Sequence, residues 1–524
     1  MSQPHVLAID LGTSGPKAAV VSLDGRIVAT SHERVTTYFG PGSGVEQDPA
    51  EIWSAVKAAC ARALRSSGAA AEVRAVICAS QYSSIVPVDA AGRATMNMIL
   101  WLDHRGETSR LKRLPGFPRV VDTPWRMLRW LRIHGLPPVE GGMSLTHMRW
   151  VRYARPDVYA RTAKFLEPMD YLALRFSGRA VATQCTAFMS LLTDNRTIGT
   201  TRYDRSLLRY SCIDADRLPE VVPLDSVIGE VLPDVASELG LPSGAVVVTG
   251  LNDTQAGGMG TAAFQGRHAA ISIGSSAVMI THVPFKRTDV RRAVLSMPSP
   301  VPGTWFVMAE NGTGGAALDH FLGKVLGASG AADAPMMGDA YARIDRAVAD
   351  TPAGSNGVLF LPWMTGSLAP CAERHMRGGF LNLGLDTTSA HMARSVMEGV
   401  AYNLRWLRDA VERFARREFE SFTLYGGGAQ SDTWSQIMAD VLQVPVRQAQ
   451  DPRYVTCRGA ALLAFQRLGL LGFADFASRI PTRREFEPDA STSSLHVHRH
   501  AQFVQAFRRN RPLFRTLNGQ EGLP

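Results

Sequence analysis

The sequence predicts an α/β protein of two domains with a cleft between them. Three observations carry that prediction. Strand-like apolar runs alternate with segments of helical periodicity along the chain. The length of 524 residues exceeds what one core usually serves, at roughly 100–200 residues per domain. A strand–Gly/Ser turn–strand unit near the N-terminus is met again in the second half, which reads as a weak internal duplication.

The first unit runs from a strand at Val6 to Asp10 through the turn Leu11-Gly12-Thr13-Ser14-Gly15 into a second strand, Lys17 to Ser22. Asp24-Gly25 is a two-residue hairpin signal leading to a third strand, Arg26 to Thr30. Apolar spacing at Ile52, Val56, Ala59 and Leu64 predicts a helix over Pro49–Leu64 with Asp48 as its N-cap, followed by a buried strand from Val73 to Cys78. The apolar run Val246-Val247-Val248 precedes Gly250-Leu251-Asn252-Asp253, and the domain boundary is placed at Asp253, giving 1–253 and 254–524. The second unit spans Ala269 to Ile280 around Gly274-Ser275-Ser276. A strand at Phe422 to Tyr425, the run Gly426-Gly427-Gly428, and helices at Trp434–Leu442 and Cys457–Leu468 follow. Beyond Pro488 the chain is polar and then basic, and reads as a surface tail closing with a helix.

Composition narrows the function classes. At 45% hydrophobic and 20% charged residues the chain is an ordinary globular protein, not a disordered one. The net charge of +9 is spread along the sequence, which fits solubility and attraction of small anions better than nucleic-acid binding. Six scattered cysteines make no C-x-x-C pair or framework, the pattern of a reducing compartment. The opening residues lack a signal-peptide pattern and no apolar run reaches about 18 residues, so the expectation is a cytoplasmic protein without a membrane partner.

The chemistry-bearing positions cluster at the turns. Asp10 ends a strand beside the glycine turn at Thr13 and Ser14, with Lys17 just after it; backbone N–H groups and a carboxylate suit a nucleotide phosphate and Mg2+. An ordinary hairpin with an Asp at its end is the plain alternative. Gly274, Ser275 and Ser276 offer a second such turn, so two turns could grip a polyphosphate from both sides. Gly427, Gly428 and Ala429 would admit a nucleoside or phosphate to the backbone, or make a tight strand-to-helix turn. The G-x-x-x-x-G-K-[ST] phosphate loop is missing. Asp253 is the candidate base for a hydroxyl under phosphorylation, and would also serve as a helix N-cap. His496, His498 and His500 alternate without partners at metal-site spacing; Trp125, Trp130, Trp150 and Trp363 read as core or cleft-wall aromatics.

Taken together these motifs resemble the FGGY carbohydrate kinases, on the actin-like, ribonuclease-H-like ATPase fold, over about Val6 to Leu468. The matching pieces are A-I-D-L-G-T-S-G-P-K, I-L-W-L-D-H-R at Trp101 and Asp103, G-L-N-D-T-Q-A-G-G, I-G-S-S, F-L-P-W-M-T-G-S-L-A-P, A-H-M-A-R-S-V-M-E-G, Y-G-G-G-A-Q-S-D-T-W and R-G-A-A-L-L-A. The resemblance implies transfer of the γ-phosphoryl of Mg·ATP to a sugar hydroxyl in the cleft, with 1–253 binding sugar and 254–524 binding ATP. It implies Asp253 as base, Asp10 at Mg2+, Thr13, Ser14 and Lys17 near the transferred group, Gly274 to Ser276 at phosphate, and Gly427 to Ala429 at adenosine. On the same fold analogy Gln81, Tyr82, Ser83, Trp101 and Asp103 are candidates for the sugar side.

The pattern is closest to xylulose kinases, so a ketopentose is the expected substrate, with glycerol, another polyol or a sugar acid as alternatives. A non-catalytic sugar-binding protein or a partner-binding actin-like ATPase is the rival class, and a homodimer is left open. Departures gather on the sugar side: Ser83 stands where those kinases carry a His, Tyr82-Ser83 where glycerol kinases carry Arg-Glu, and Gly142 where those have a Tyr. His147 replaces the usual Lys of the first family signature, Ser367-Leu368 replaces Glu-Arg, and Thr254 an amide residue.

Overall fold

The computed structural model describes residues 3–118, 121–138, 141–327 and 334–519. Two large sheets carry the chain, and their central strands follow one plan. In the first, His5–Gly12, Gly15–Ser22 and Ile27–His32 form an antiparallel meander, and Val73–Ser80 and Val246–Val248 add in parallel on the other side of the opening strand. In the second, His268–Ile273, Ser276–Val283 and Trp305–Thr313 form the meander, and Ser421–Tyr425 and Val446–Ala449 add in parallel. The duplication read in the sequence is thus a repeat of topology.

Both faces of each sheet are covered, and strand alternation assigns the faces. Leu7, Ile9 and Leu11 pack with Ile52, Val56 and Ala59 of helix Pro49–Ser67. That helix starts as expected: the Asp48 carboxylate accepts the Ala50 N–H at 2.8 Å, Pro49 follows, and Gly68 closes it in the left-handed region. Val6 and Ala8, on the opposite face, meet Ala256, Met259, Cys457, Ala460 and Ala461.

Those residues belong to two helices that begin at the cleft, Asp253–Gly260 and Val455–Arg467. They cross at contact distance because both carry glycine there. A Cβ on Gly459 would lie 1.9 Å from the Ala256 carbonyl oxygen, and one on Gly260 would lie 2.2 Å from that of Val455. The second half of the chain therefore contributes a helix to the first sheet's core.

Three expectations need correction. The segment beyond Pro488 is no surface tail. Helix Ser493–Asn518 buries His496, Phe503 and Phe507, and the two phenylalanines pack against Trp363 at ring-centroid distances of 5.0 and 4.9 Å. His496 is bonded to the Tyr402 hydroxyl at 2.9 Å, so the first of the alternating histidines belongs to the core. The closing helix is there as expected, but its burial was hidden by a polar composition wrapped around a narrow apolar stripe. Trp125 is 81% exposed and so is no core aromatic, whereas Trp130 and Trp363 are fully buried.

Candidate active site

Asp10 and Lys17 face one another across the opening hairpin, and the Lys17 Nζ lies 2.9 Å from Asp10 Oδ2. The same oxygen accepts the Thr456 hydroxyl at 2.7 Å, from the first turn of helix Val455–Arg467. Asp10 Oδ1 is buried without a protein partner. A bare carboxylate oxygen of this kind suits a hydrated divalent cation, which takes oxygen ligands and keeps several waters.

Asp253 is close enough to Asp10 and Lys17 for their charges to act on it. It is not the N-cap. Asn252 caps the helix, accepting the Thr254 N–H at 2.9 Å, while its amide donates to Asp253 Oδ1 at 2.8 Å. The Thr254 N–H also reaches that oxygen, at 2.6 Å. Burial and then the charge of Asp10 push the Asp253 carboxyl up to about 7, and Lys17 and the two hydrogen bonds pull the other way. A carboxyl poised there takes or gives a proton near neutrality. Asp10 in turn holds the Lys17 ammonium well above its usual range.

The Thr13 turn connects this cluster to Gln81 and Trp101. The Thr13 hydroxyl donates to Gln81 Oε1 at 2.6 Å and accepts Trp101 Nε1–H at 3.3 Å; Gln47 Nε2 fixes the Thr13 carbonyl at 2.7 Å. Ser14 forms the exposed tip. Gln81 Nε2 is buried without a protein partner, and Trp101 is 41% exposed.

Ser83 is buried at a φ of 63°, and its carbonyl receives His147 Nε2 at 3.0 Å. Two of the positions that depart from the family pattern are therefore in direct contact. Gly142 is also accounted for: it has a φ of 74° and sits where a Cβ would fall 2.5 Å from the Trp101 carbonyl oxygen, leaving no room for a tyrosine.

Two sugar-side candidates are occupied otherwise. Asp103 is fully buried; Oδ2 accepts the Val45 N–H at 2.9 Å and Arg105 Nε–H at 2.8 Å, and Oδ1 accepts the Arg105 N–H at 2.8 Å. It braces the loop that carries Trp101. The Tyr82 hydroxyl donates to the Cys185 carbonyl at 2.8 Å and the ring packs near Phe188.

On the second sheet, Gly274 N–H closes its turn onto the Ser276 carbonyl at 3.0 Å, with Ser275 exposed at the tip. Burial holds the Glu310 carboxyl, which lies beside Ser276, above its usual range. A neighbouring loop that sequence reasoning missed backs this turn: Gly314 N–H reaches the Ser275 carbonyl at 2.8 Å and Gly315 N–H the Gly274 carbonyl at 2.7 Å. The run Gly312-Thr313-Gly314-Gly315 after an apolar strand was a readable signal. Thr456 carried no local signal.

Gly426 takes a φ of 92° and Gly428 backs onto Ile273 and Trp434, whereas a Cβ on Gly427 would meet nothing within 4 Å. Ala429 does not line an opening. It is fully buried in the second core, and its carbonyl accepts Gln448 Nε2 at 2.7 Å. The helix after the glycine run starts only at Asp432, capped by the Ser431 hydroxyl at 2.8 Å from the Trp434 N–H. Among the described residues no group of three or more His, Cys, Asp and Glu side chains forms a metal-binding cluster, and no helix is long and apolar enough to cross a membrane.

Comparison with known proteins decides the family. Residues 5–260 match the N-terminal domain of the FGGY family of carbohydrate kinases, and residues 269–467 match its C-terminal domain. The chain belongs to that family. It is an ATP-dependent sugar kinase on the two-domain actin-like fold. A xylulose kinase of Staphylococcus epidermidis is 26% identical over 98% of both chains, and one of Bacillus subtilis is 26% identical over 88% of both. A gluconokinase of Bacillus subtilis is 24% identical over 90% of both. Among solved structures, gluconate kinase from Lactobacillus acidophilus superposes with a TM-score of 0.83 at 19% identity, covering 98% of this kinase and 100% of the other chain. Ligand-bound xylulose kinase from the same organism superposes at 0.82 with 20% identity, covering 97% and 98%.

Proposed function

We propose that the kinase transfers the γ-phosphoryl group of Mg·ATP to a hydroxyl of a ketopentose, with Asp253 as general base. The observation that carries this reading is the pairing of a buried carboxyl raised to about 7 with the Asp10–Lys17 ion pair beside it. Curated relatives named xylulose kinase match over nearly the whole chain, and they favour a ketopentose. A sugar acid is the second reading, favoured by the gluconokinase relative.

In this reading residues 1–253 hold the sugar and 254–524 the nucleotide, the two crossing helices serving as the hinge. The substrate hydroxyl lies against Asp253, which accepts its proton as the new O–P bond forms. Gln81, with an unpaired amide, and the exposed indole of Trp101 orient the sugar. Lys17 and the N–H groups at the exposed tips of the two turns, at Ser14 and Ser275, face the developing phosphoryl charge. Asp10 would hold Mg2+ through Oδ1, and the ion would supply charge neutralisation at the phosphates. Gly427 and Gly428 admit the nucleoside. Closure excludes water, which would otherwise accept the phosphoryl group. The site works in the cytoplasm.

The test is ADP release from Mg·ATP against ketopentoses, ketohexoses, sugar acids, pentitols and glycerol, with a sugar-free blank subtracted. Strong stimulation by ketopentoses that is abolished in Asp253→Asn, with ATP binding retained, supports the reading. Stimulation by sugar acids alone moves the assignment to the second reading, and near-normal turnover in Asp253→Asn removes the base.

A further inference from the structure

Ser83 sits in the sugar-side loop with a left-handed backbone at a φ of 63°. A residue other than glycine keeps that conformation only where its surroundings over-determine it. Here they do so through a buried side chain from outside the loop. His147 Nε2–H donates to the Ser83 carbonyl at 3.0 Å, and the Glu167 carboxyl, which burial pushes well above its usual range, lies beside the Ser83 and Ser84 backbone. Glu167 is held in turn by the Ser144 hydroxyl, one turn ahead of His147 on helix Ser144–Ala154. The Ser84 hydroxyl then accepts the Trp101 N–H at 3.2 Å, so the grip on the loop extends to the exposed indole.

All of these anchors lie away from solvent: His147 and Ser144 are 1% exposed, Ser84 is fully buried, and Glu167 is 6% exposed. Burial draws His147 down to about 4, so the ring is neutral and carries a single proton. Nδ1 has no partner, so the proton belongs on Nε2, aimed at the Ser83 carbonyl.

We propose that His147 is a positioning residue that holds the Ser83 carbonyl and thereby sets which acceptor the site selects. The claim of selection rests on the reading of Gln81, Ser83 and Trp101 as the sugar side. His147 need not touch the acceptor. It fixes the Ser83 backbone and with it the direction of the Ser83 side chain.

Hydrogen exchange read by mass spectrometry on peptides covering residues 79–86 tests the clamp without any substrate. His147→Leu keeps bulk but removes the donor, and His147→Gln keeps a donor at similar reach. Circular dichroism melts confirm that each variant is folded. The expected result is exchange across this peptide faster by about tenfold or more in His147→Leu, and recovery in His147→Gln. On the best acceptor from the panel, sugar KM rises by about tenfold while the KM for Mg·ATP stays within about twofold. Unchanged exchange in folded His147→Leu overturns the clamp, and a parallel rise of both KM values overturns its role in selection. Faster exchange in a protein that no sugar stimulates supports the clamp and counts against the sugar reading instead.

Discussion

The Thr456 hydroxyl donates to Asp10 Oδ2 at 2.7 Å, joining residues 446 positions apart. Asp10 belongs to the first strand and Thr456 to a helix supplied by the second half of the chain, so the bond ties the two halves together at the Asp10 carboxylate. It also leaves Oδ1 as the oxygen without a protein partner.

Thr456→Val tests that tie. Valine preserves the shape of threonine, and the loss is one hydrogen bond to a charged group, worth about 1.5–3 kcal/mol. We expect kcat to fall by roughly tenfold, since about 1.4 kcal/mol of misplacement suffices for that, with a modest fall in Tm. Steady-state kinetics and a calorimetric melt measure both, and unchanged kcat and an unchanged Mg2+ requirement would show that Thr456 only packs.

Much of the frame was legible because it follows from local periodicity. Val6 and Ala8 against Leu7 and Ile9 declare a strand covered on both faces, and Asp10 and Lys17 meet because the short glycine turn sets their register. What escaped were relationships between distant segments. Thr456 reaches Asp10 only once the second half has folded against the first sheet. Asp103 looked like a ligand, but Val45 and Arg105 claim its oxygens from a neighbouring strand and loop. Ala429 shared its glycine run's promise while its own methyl turned into the core. The burial of helix Ser493–Asn518, not its existence, was concealed because its buried stripe holds few residues among many arginines.

The carboxyl of Asp253, at about 7, should give kcat/KM an acid limb near that pH. The base must be ionised, so activity falls as pH drops through 7. Asp10 contributes to the upward push, so Asp10→Asn shifts the limb to lower pH while also lowering the rate. The linkage to stability has the opposite trend. A carboxyl whose folded value lies above its unfolded value of 3.8 loses stability as pH rises from about 4 to 7. Asp253→Asn should therefore flatten that part of the Tm profile, and a limb that stays at 7 in Asp10→Asn would contradict the coupling.

Two glycines separate folding from binding. Gly459→Ala places a methyl 1.9 Å from the Ala256 carbonyl oxygen and 2.3 Å from the Gly260 nitrogen, both backbone. The helices must part, at a cost of about 3 kcal/mol or more, and Tm should drop by several degrees. Gly427→Ala meets nothing within 4 Å and has helical backbone angles, so Tm should hold. If the nucleoside lies against Gly427, its KM for Mg·ATP should rise by about tenfold through close contact. An ATP KM unchanged in Gly427→Ala would move the nucleoside away from this glycine.

Glu373 locks the last helix in place and predicts an acid-labile contact. One of its oxygens accepts Arg511 Nε–H and Arg515 Nε–H, each at 2.7 Å, and the other lies 3.2 Å from His375 Nδ1. These donors hold its carboxyl down to about 2 although burial opposes them. A depressed folded value means the contribution is complete above the unfolded value of 4.5 and is lost as pH falls through 4.5 towards 2. Glu373→Gln should accordingly lower Tm at pH 6 and make little difference near pH 2. The Ser367 N–H bonds the Glu373 carbonyl, and the Ala369 N–H bonds the Glu310 carbonyl beside the Ser276 turn. Loosening of the helix should therefore reach the nucleotide side first, raising the KM for Mg·ATP more than that for the sugar. Equal Tm differences between wild type and Glu373→Gln at pH 6 and pH 2.5 would assign the helix anchor to packing of Phe503 and Phe507 alone.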